Sequence, residues 1–263
     1  MKDATCSHNT YWNETNRVIF KSLVKKEILG HYKNSKLGVC WQFITPILML
    51  VIYYIVFTIV REPNLENFWV YLSSGLFPFT FLMTCLGSGS SSIVNNAEII
   101  KKIHFPRHLI VISNVVSSLI VLVIGYTIVI SFYIILSVHL TINMAMLPIC
   151  IALTFAFGLG YSLLLSSITV YIRDLQYFID STKIAFMFLT PMYFTIDQLP
   201  LFSKQIVLLN PYTHFVTMFQ DIVYYGIMPD KITLIVCTVF STSLMIFGWT
   251  VFHKLNRGFA EKL

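Results

Sequence analysis

The chain has 263 residues and a formal net charge of +6; 56% of its residues are hydrophobic and 11% charged, against about 25% charged in soluble domains. That balance excludes a water-soluble globular fold. The apolar residues fall in uninterrupted runs that suit about 30 Å of hydrocarbon, so one membrane domain is implied. The five cysteines (Cys6, Cys40, Cys85, Cys150, Cys237) stand singly, without a Cys-x-x-Cys pair, and read as small buried hydrophobes rather than as a disulfide or metal set.

The first 36 residues are polar and rich in Lys, with no apolar core leading to a small-residue cleavage site, so they are no signal peptide. Within them Ile19, Phe20, Leu23, Val24 and Ile28 share one side of a helical projection, and Arg17, Lys21 and Lys25 lie largely on the other. Such a helix can lie flat on the cytoplasmic membrane surface. An ordinary solvated helix with a sticky face is the plainer alternative.

Apolar runs follow at about Val39 to Val60, Phe68 to Leu86, Leu109 to Val138, Leu147 to Ile172, Phe178 to Phe194 and Ile232 to Phe252. None shows the period-two alternation of a barrel strand, so all six read as helices. Lys2, Arg17, Lys21, Lys25, Lys26, Lys33 and Lys36 precede the first run; Lys101, Lys102 and Arg107 follow the second; Arg173 and Lys183 follow the fourth; Lys254, Arg257 and Lys262 close the chain. Only Arg61, Lys204 and Lys231 remain for the opposite side. The positive-inside rule therefore places both termini in the cytoplasm, which an even number of spans satisfies. The expected fold is all-α and integral to the membrane, with about six transmembrane helices.

The connection from Asn95 to His108 stands out. Asn95 and Glu98 resemble a helix cap and its reciprocal partner, Ile99, Ile100 and Ile103 give an apolar face, Lys101 and Lys102 a polar one, and Pro106 a stop. This predicts a short amphipathic helix shaped to dock on a cytoplasmic partner; a plain basic loop is the alternative. On the other side, residues from Thr195 to Lys231 are too apolar for a solvated loop and are broken at Pro200 and at Asn210-Pro211. They read as two short helices that dip back into the bilayer edge or cap a pore.

Aromatics gather near the outer ends of the runs, among them Tyr53, Tyr54, Phe57, Trp69, Phe77 and Phe79. An interfacial belt explains them. So does a pore lining that offers flat apolar faces and hydroxyls to a sugar chain.

The chemistry of a self-sufficient pump is missing. The first four runs and the last carry no Asp, Glu, Lys or Arg inside, which leaves an ion-coupled mechanism few groups to work with. No G-x-x-x-x-G-K-[ST] loop is present to cradle ATP phosphates, and the seven histidines show no metal-ligand spacing and read as interfacial or loop residues. The basic residues sit at span ends without aromatic interleaving, so nucleic acid is not the partner. A membrane-embedded glycosyltransferase would need a carboxylate cluster for metal and sugar donor, and none is seen.

Several stretches, from about Lys33 to Gly226, resemble the ABC-2 type permeases of polysaccharide exporters. They are Leu37-Gly38 with Trp41 and Pro46; Ser74-Gly75-Leu76-Phe77-Pro78; Asn96, Ile99-Ile100-Lys101-Lys102 and Phe105-Pro106-Arg107; Arg173-Asp174; Thr190-Pro191; and Asn210-Pro211. The resemblance implies a cytoplasmic segment over residues 1–36, a transmembrane domain over 37–253 and a tail over 254–263. It implies a transport subunit rather than an enzyme, in the bacterial inner membrane, binding no cofactor of its own. ATP and Mg2+ belong to two copies of a separate ATPase, and a second copy of this chain completes the pore. The cargo implied is a lipid-linked polysaccharide, foremost O-antigen; teichoic acid, capsule, a drug or a simple lipid are the alternatives, and a flippase working without an ATPase is the rival class.

By the same resemblance Asn96, Glu98, Ile100, Lys101, Lys102, Phe105, Pro106 and Arg107 form the coupling helix. Tyr53, Tyr54, Phe57, Trp69, Phe77 and Phe79 are candidates for the channel, and Pro191, Asn210, Pro211 and Tyr212 for short external re-entrant gate helices. Lys25, Lys26 and Trp41 are candidates for the cytoplasmic entrance, where Lys25 and Lys26 would meet anionic headgroups or the substrate's diphosphate. One departure is Gln220, where the family often has an Arg that anchors the gate.

Overall fold

The computed structural model describes residues 14–30, 40–61, 65–135 and 141–263. Leu37-Gly38 and the basic residues Lys2, Lys33 and Lys36 lie outside them. Every regular element among the described residues is helical. α1 (Glu14–Gly30) precedes α2 (Trp41–Arg61), the first apolar run. α3 (Phe68–Thr84) does not end with the second run at Leu86: it passes through a π-helical turn, Cys85–Gly89, into α4 (Ser90–Asn95), so one continuous rod reaches the basic connection.

After α5 (Ala97–Lys102) come α6 (His108–Ile135), α7 (Leu147–Tyr171) and α8 (Leu175–Leu189). The apolar stretch from Thr195 to Lys231 holds α9 (Leu201–Leu209) and α10 (Pro211–Val223), the two short helices expected there. α11 (Lys231–Leu255) and the short α12 (Phe259–Lys262) end the chain.

Among the described residues four helical segments are long and apolar enough to cross a membrane: Phe68–Lys102, His108–Ile134, Ile142–Tyr171 and Lys231–Gly258. α8 is shorter than the fifth apolar run because the chain leaves the helix at Thr190, whose backbone is extended (φ −102°, ψ 131°) ahead of Pro191. A residue before proline is pushed out of the α region, so the break follows from the sequence.

The core is built from small residues as much as from large ones. α7 and α11 run side by side in parallel: the Ser241 hydroxyl donates to the Leu153 carbonyl (2.8 Å), and seven residues further along both helices Gly248 meets Gly160. Helices approach backbone to backbone in this way only where small residues remove the side chains between them. α10 is the other core element, with Tyr212, Phe215, Val216, Met218, Phe219, Ile222 and Val223 all buried. This amphipathic helix, which begins at Pro211, has sunk its apolar face against α3. α9 keeps Leu201, Phe202 and Leu209 more than 70% exposed.

Of the cysteines, Cys85, Cys150 and Cys237 are buried and free, in line with their reading as hydrophobes, Cys40 is exposed, and Cys6 lies outside the described residues. His108, at the start of α6, is buried against protein, with its ring 5.4 Å from Trp249 and 6.1 Å from His253 on α11.

Candidate functional site

Three places gather the residues singled out in the sequence. The first is the corner where α4 turns into α5. The expected cap at Asn95 is displaced by one residue: Asn95 still belongs to α4, its amide donating to Ser91 Oγ (3.1 Å), and Asn96 makes the turn. Asn96 is buried because it is shared. Its Nδ2 donates to the Ser92 carbonyl (2.8 Å), and its Oδ1 accepts from Lys26 Nζ of α1. Glu98 does not reach back to a cap but pairs loosely with Lys102 (3.9 Å), both strongly exposed.

Ile100 is the buried anchor of α5, whereas Lys101, Lys102 and Ile103 face outward. Phe105 packs against the core, and Pro106 is half-buried four residues past the end of α5 at Lys102, so the helix is already closed at Ile103 and Pro106 is not its stop. Arg107 points away from that exposed surface. Its Nη1 donates to the Asn256 carbonyl (2.5 Å) and to Asn256 Oδ1 (3.2 Å), with the guanidinium 6.0 Å from the Phe259 ring. It is a clasp for the C-terminal segment.

The second place is a cavity of about 610 Å3 between α2, α3, α6 and α8, within the usual range for ligand pockets. Of the candidate channel aromatics, Tyr53, Phe77 and Phe79 line it. Tyr54 sits on the outer face of α2, Phe57 stacks on Tyr193 (4.3 Å, 5°), and Trp69 packs on Phe132 and Tyr133 of α6, so these three do not. Lys25 is exposed on α1, Lys26 is held by Asn96, and neither they nor Trp41 lines the cavity.

What sequence reading missed is the polar end of this cavity, next to α1. Glu27 accepts from Asn114 Nδ2 (3.0 Å), Asn114 Oδ1 accepts from Ser88 (3.1 Å), and Lys183 pairs with Asp180 (2.6 Å). Lys183 lies over Gly87 of the π-helical turn, where any Cβ would strike its ammonium. The available signals were an Asn inside an apolar run and the i, i+4 spacing of Thr80, Thr84 and Ser88.

The third place is the break after α8. The Pro191 carbonyl accepts from Gln220 Nε2 (2.8 Å) and Tyr71 OH (3.2 Å), and Tyr71 OH also reaches the Phe194 carbonyl (2.7 Å). Asn210 caps α10 by accepting from the Tyr212 amide (3.1 Å), with Pro211 at the first helical position, and its Nδ2 donates to Thr190 Oγ1 (3.1 Å). Tyr212 is buried among Phe157 and Phe186. Gln220 thus ties α10 to the α8 break without a salt bridge. Gln220→Leu is expected to cost about 1 kcal/mol, the worth of one buried hydrogen bond, and to lower the thermal midpoint in detergent. An unchanged midpoint would show that Tyr71 alone holds Pro191. The residue after Gln220, Asp221, is pushed up to about 6, by burial first and then by the neighbouring charge of Asp230.

A sequence model of the ABC-2 type transporter family matches residues 19–224, from α1 to the end of α10. The chain belongs to that family. This ABC-2 type transporter is 27% identical over 249 residues, 94% of its own length and 96% of the relative's, to an O-antigen export system permease protein RfbA of Myxococcus xanthus. It is also 27% identical over 243 residues, 92% and 93% of the two lengths, to a protein of the same description from Klebsiella pneumoniae.

Proposed function

We propose that this ABC-2 type transporter is the membrane subunit of an ATP-driven exporter that carries lipid-linked O-antigen across the bacterial inner membrane. The observation that carries the reading is the match, over nearly the whole of both chains, to permeases described as O-antigen export components. The chain is a permease and not an enzyme. A separate ATPase, in two copies, holds ATP and Mg2+, and two copies of this chain form the path.

In this reading α2 and α8 join the four long apolar segments to make six spans, with both termini in the cytoplasm. The distribution of basic residues supports that orientation, since the ends of α1, α5 and α11 then share the positive side. α5 is the coupling helix: Ile100 and the Lys26 to Asn96 bond fix it to the bundle, and Lys101, Lys102 and the exposed Ile103 are left for the ATPase. α9 and α10 form the external gate, with α10 as its fixed part and α9 as its exposed flap. Tyr53, Phe77 and Phe79 face the substrate.

The reading is tested by reconstituting the chain with its candidate ATPase in vesicles and following lipid-linked O-antigen to the opposite leaflet. ATP-dependent transfer that stops when either subunit is omitted is the expected result. Transfer by the permease alone, or none with both, would sink the proposal.

A further inference from the structure

The polar end of the cavity is built almost entirely of hydrogen-bond acceptors. Thr84 Oγ1 donates back to the Thr80 carbonyl (2.8 Å), Ser88 shares its one proton between the Thr84 carbonyl (3.0 Å) and Asn114 Oδ1 (3.1 Å), and Ser118 donates to the Asn114 carbonyl (3.0 Å). Each hydroxyl has one proton, so what it turns to the cavity is oxygen lone pairs. Glu27 adds a carboxylate to the same lining. The donors are Asn114 Nδ2, one of whose two N–H groups is committed to Glu27 (3.0 Å), and the Lys183 ammonium, whose charge is matched by Asp180 at 2.6 Å.

This inventory decides between two ligand chemistries. A phosphate or diphosphate offers acceptors with negative charge. Here it would face Glu27 and acceptor oxygens, with one already paired cation in return. A neutral sugar offers a ring of O–H donors and apolar C–H faces. It matches an acceptor-rich wall set beside Phe77 and the other cavity aromatics.

A second observation lies at the opposite end. Tyr193 is 5% exposed, lines the cavity, and its hydroxyl has no hydrogen-bond partner among the described residues. The neighbouring Tyr53, with ring centroids 5.1 Å apart, directs its own hydroxyl to Met187 Sδ (3.7 Å). A buried hydroxyl left unpaired is costly, and a ligand hydroxyl would relieve it.

We propose that the cavity is a carbohydrate subsite, in which Glu27, Ser88, Ser118 and Thr84 accept hydrogen bonds from neutral sugar hydroxyls and the Tyr193 hydroxyl meets a hydroxyl further along the same glycan. This rests on the exporter reading, and specifies that the glycan rather than the lipid diphosphate is recognised here. It also places substrate against α1: Glu27 and Lys26 are adjacent, and Lys26 grips the Asn96 corner that carries α5.

The test uses the complex of the full chain with its ATPase in nanodiscs. Two probes are compared by equilibrium binding, a lipid diphosphate carrying a neutral disaccharide and the same lipid diphosphate without sugar. Wild type binds the sugar-bearing probe more tightly. Glu27→Gln weakens that probe about tenfold, the loss of one charge-assisted hydrogen bond, and leaves the bare lipid diphosphate unchanged. Ser118→Ala weakens the sugar-bearing probe in the same sense. It leaves the Glu27 to Asn114 bond in place, so it decides the matter even if Glu27→Gln fails to fold. Equal effects on both probes would make the cavity a headgroup site and overturn the inference, as would no effect on either. A wild-type complex that binds neither probe would refute the exporter reading itself, and the subsite with it.

Discussion

Gly248→Val is expected to abolish recovery of a monodisperse protein from detergent, whereas substitutions on the lipid-facing side of the same helix leave it intact. A Cβ at Gly248 would fall within bonding distance of the Gly160 carbonyl oxygen, 2.9 Å from its carbon and 3.2 Å from its Cα. A Cβ at Gly160 would in turn stand 2.5 Å from the Leu244 carbonyl carbon and the Met245 nitrogen. The obstacles are backbone atoms, which no rotamer change can move. The whole parallel pair must separate, and Ser241 then loses its bond to the Leu153 carbonyl. Overpacking of a core usually costs about 1–3 kcal/mol when side chains can shift, so a backbone clash belongs at or above the top of that range. Gly248→Ala should show the same defect more weakly. Wild-type yield and thermal midpoint for Gly248→Val would show that α7 and α11 pack differently in the bilayer.

The glycine pair illustrates what the sequence did and did not make legible. Helix type and rough position follow from run length and composition, because apolar runs in hydrocarbon must satisfy their own backbone. α9 and α10 were legible too, since Pro200 and Asn210-Pro211 punctuate an apolar stretch. The ends were not. The π-helical turn at Cys85–Gly89 carries no periodicity signal, and it extends α3 into α4 where the hydropathy alone stops. The turn at Asn96 in place of Asn95 is set by a partner seventy residues away, Lys26, which local capping rules cannot see. The cavity's polar end was hidden for the same reason: Glu27, Ser88, Asn114 and Lys183 come from four segments, and each alone is an ordinary residue of its helix.

The resemblance puts Lys101 and Arg107 in one coupling element, whereas in the structure they face different neighbours. Among the described residues Lys101 and Lys102 have no partner beyond the loose Glu98 pair and project from α5, so Lys101→Glu combined with Lys102→Glu should leave the permease fold unchanged. Rim charges of this kind steer association and set its salt dependence. The double reversal is therefore expected to weaken ATPase binding about tenfold or more at low salt, about 1.4 kcal/mol, with a shallower dependence on ionic strength. Arg107→Ala should act in the opposite order. It removes two hydrogen bonds to Asn256 and the contact with Phe259, a fully buried ring, so the thermal midpoint should fall first. ATPase binding should suffer only as far as the loosened C-terminal segment disturbs the α5 corner. Co-purification across a salt series, with thermal midpoints for each variant alone, separates the two. If the lysine reversal leaves binding unchanged while Arg107→Ala abolishes it without loss of stability, α5 is not the docking element and the contact lies around Arg107 and the chain's C-terminal segment.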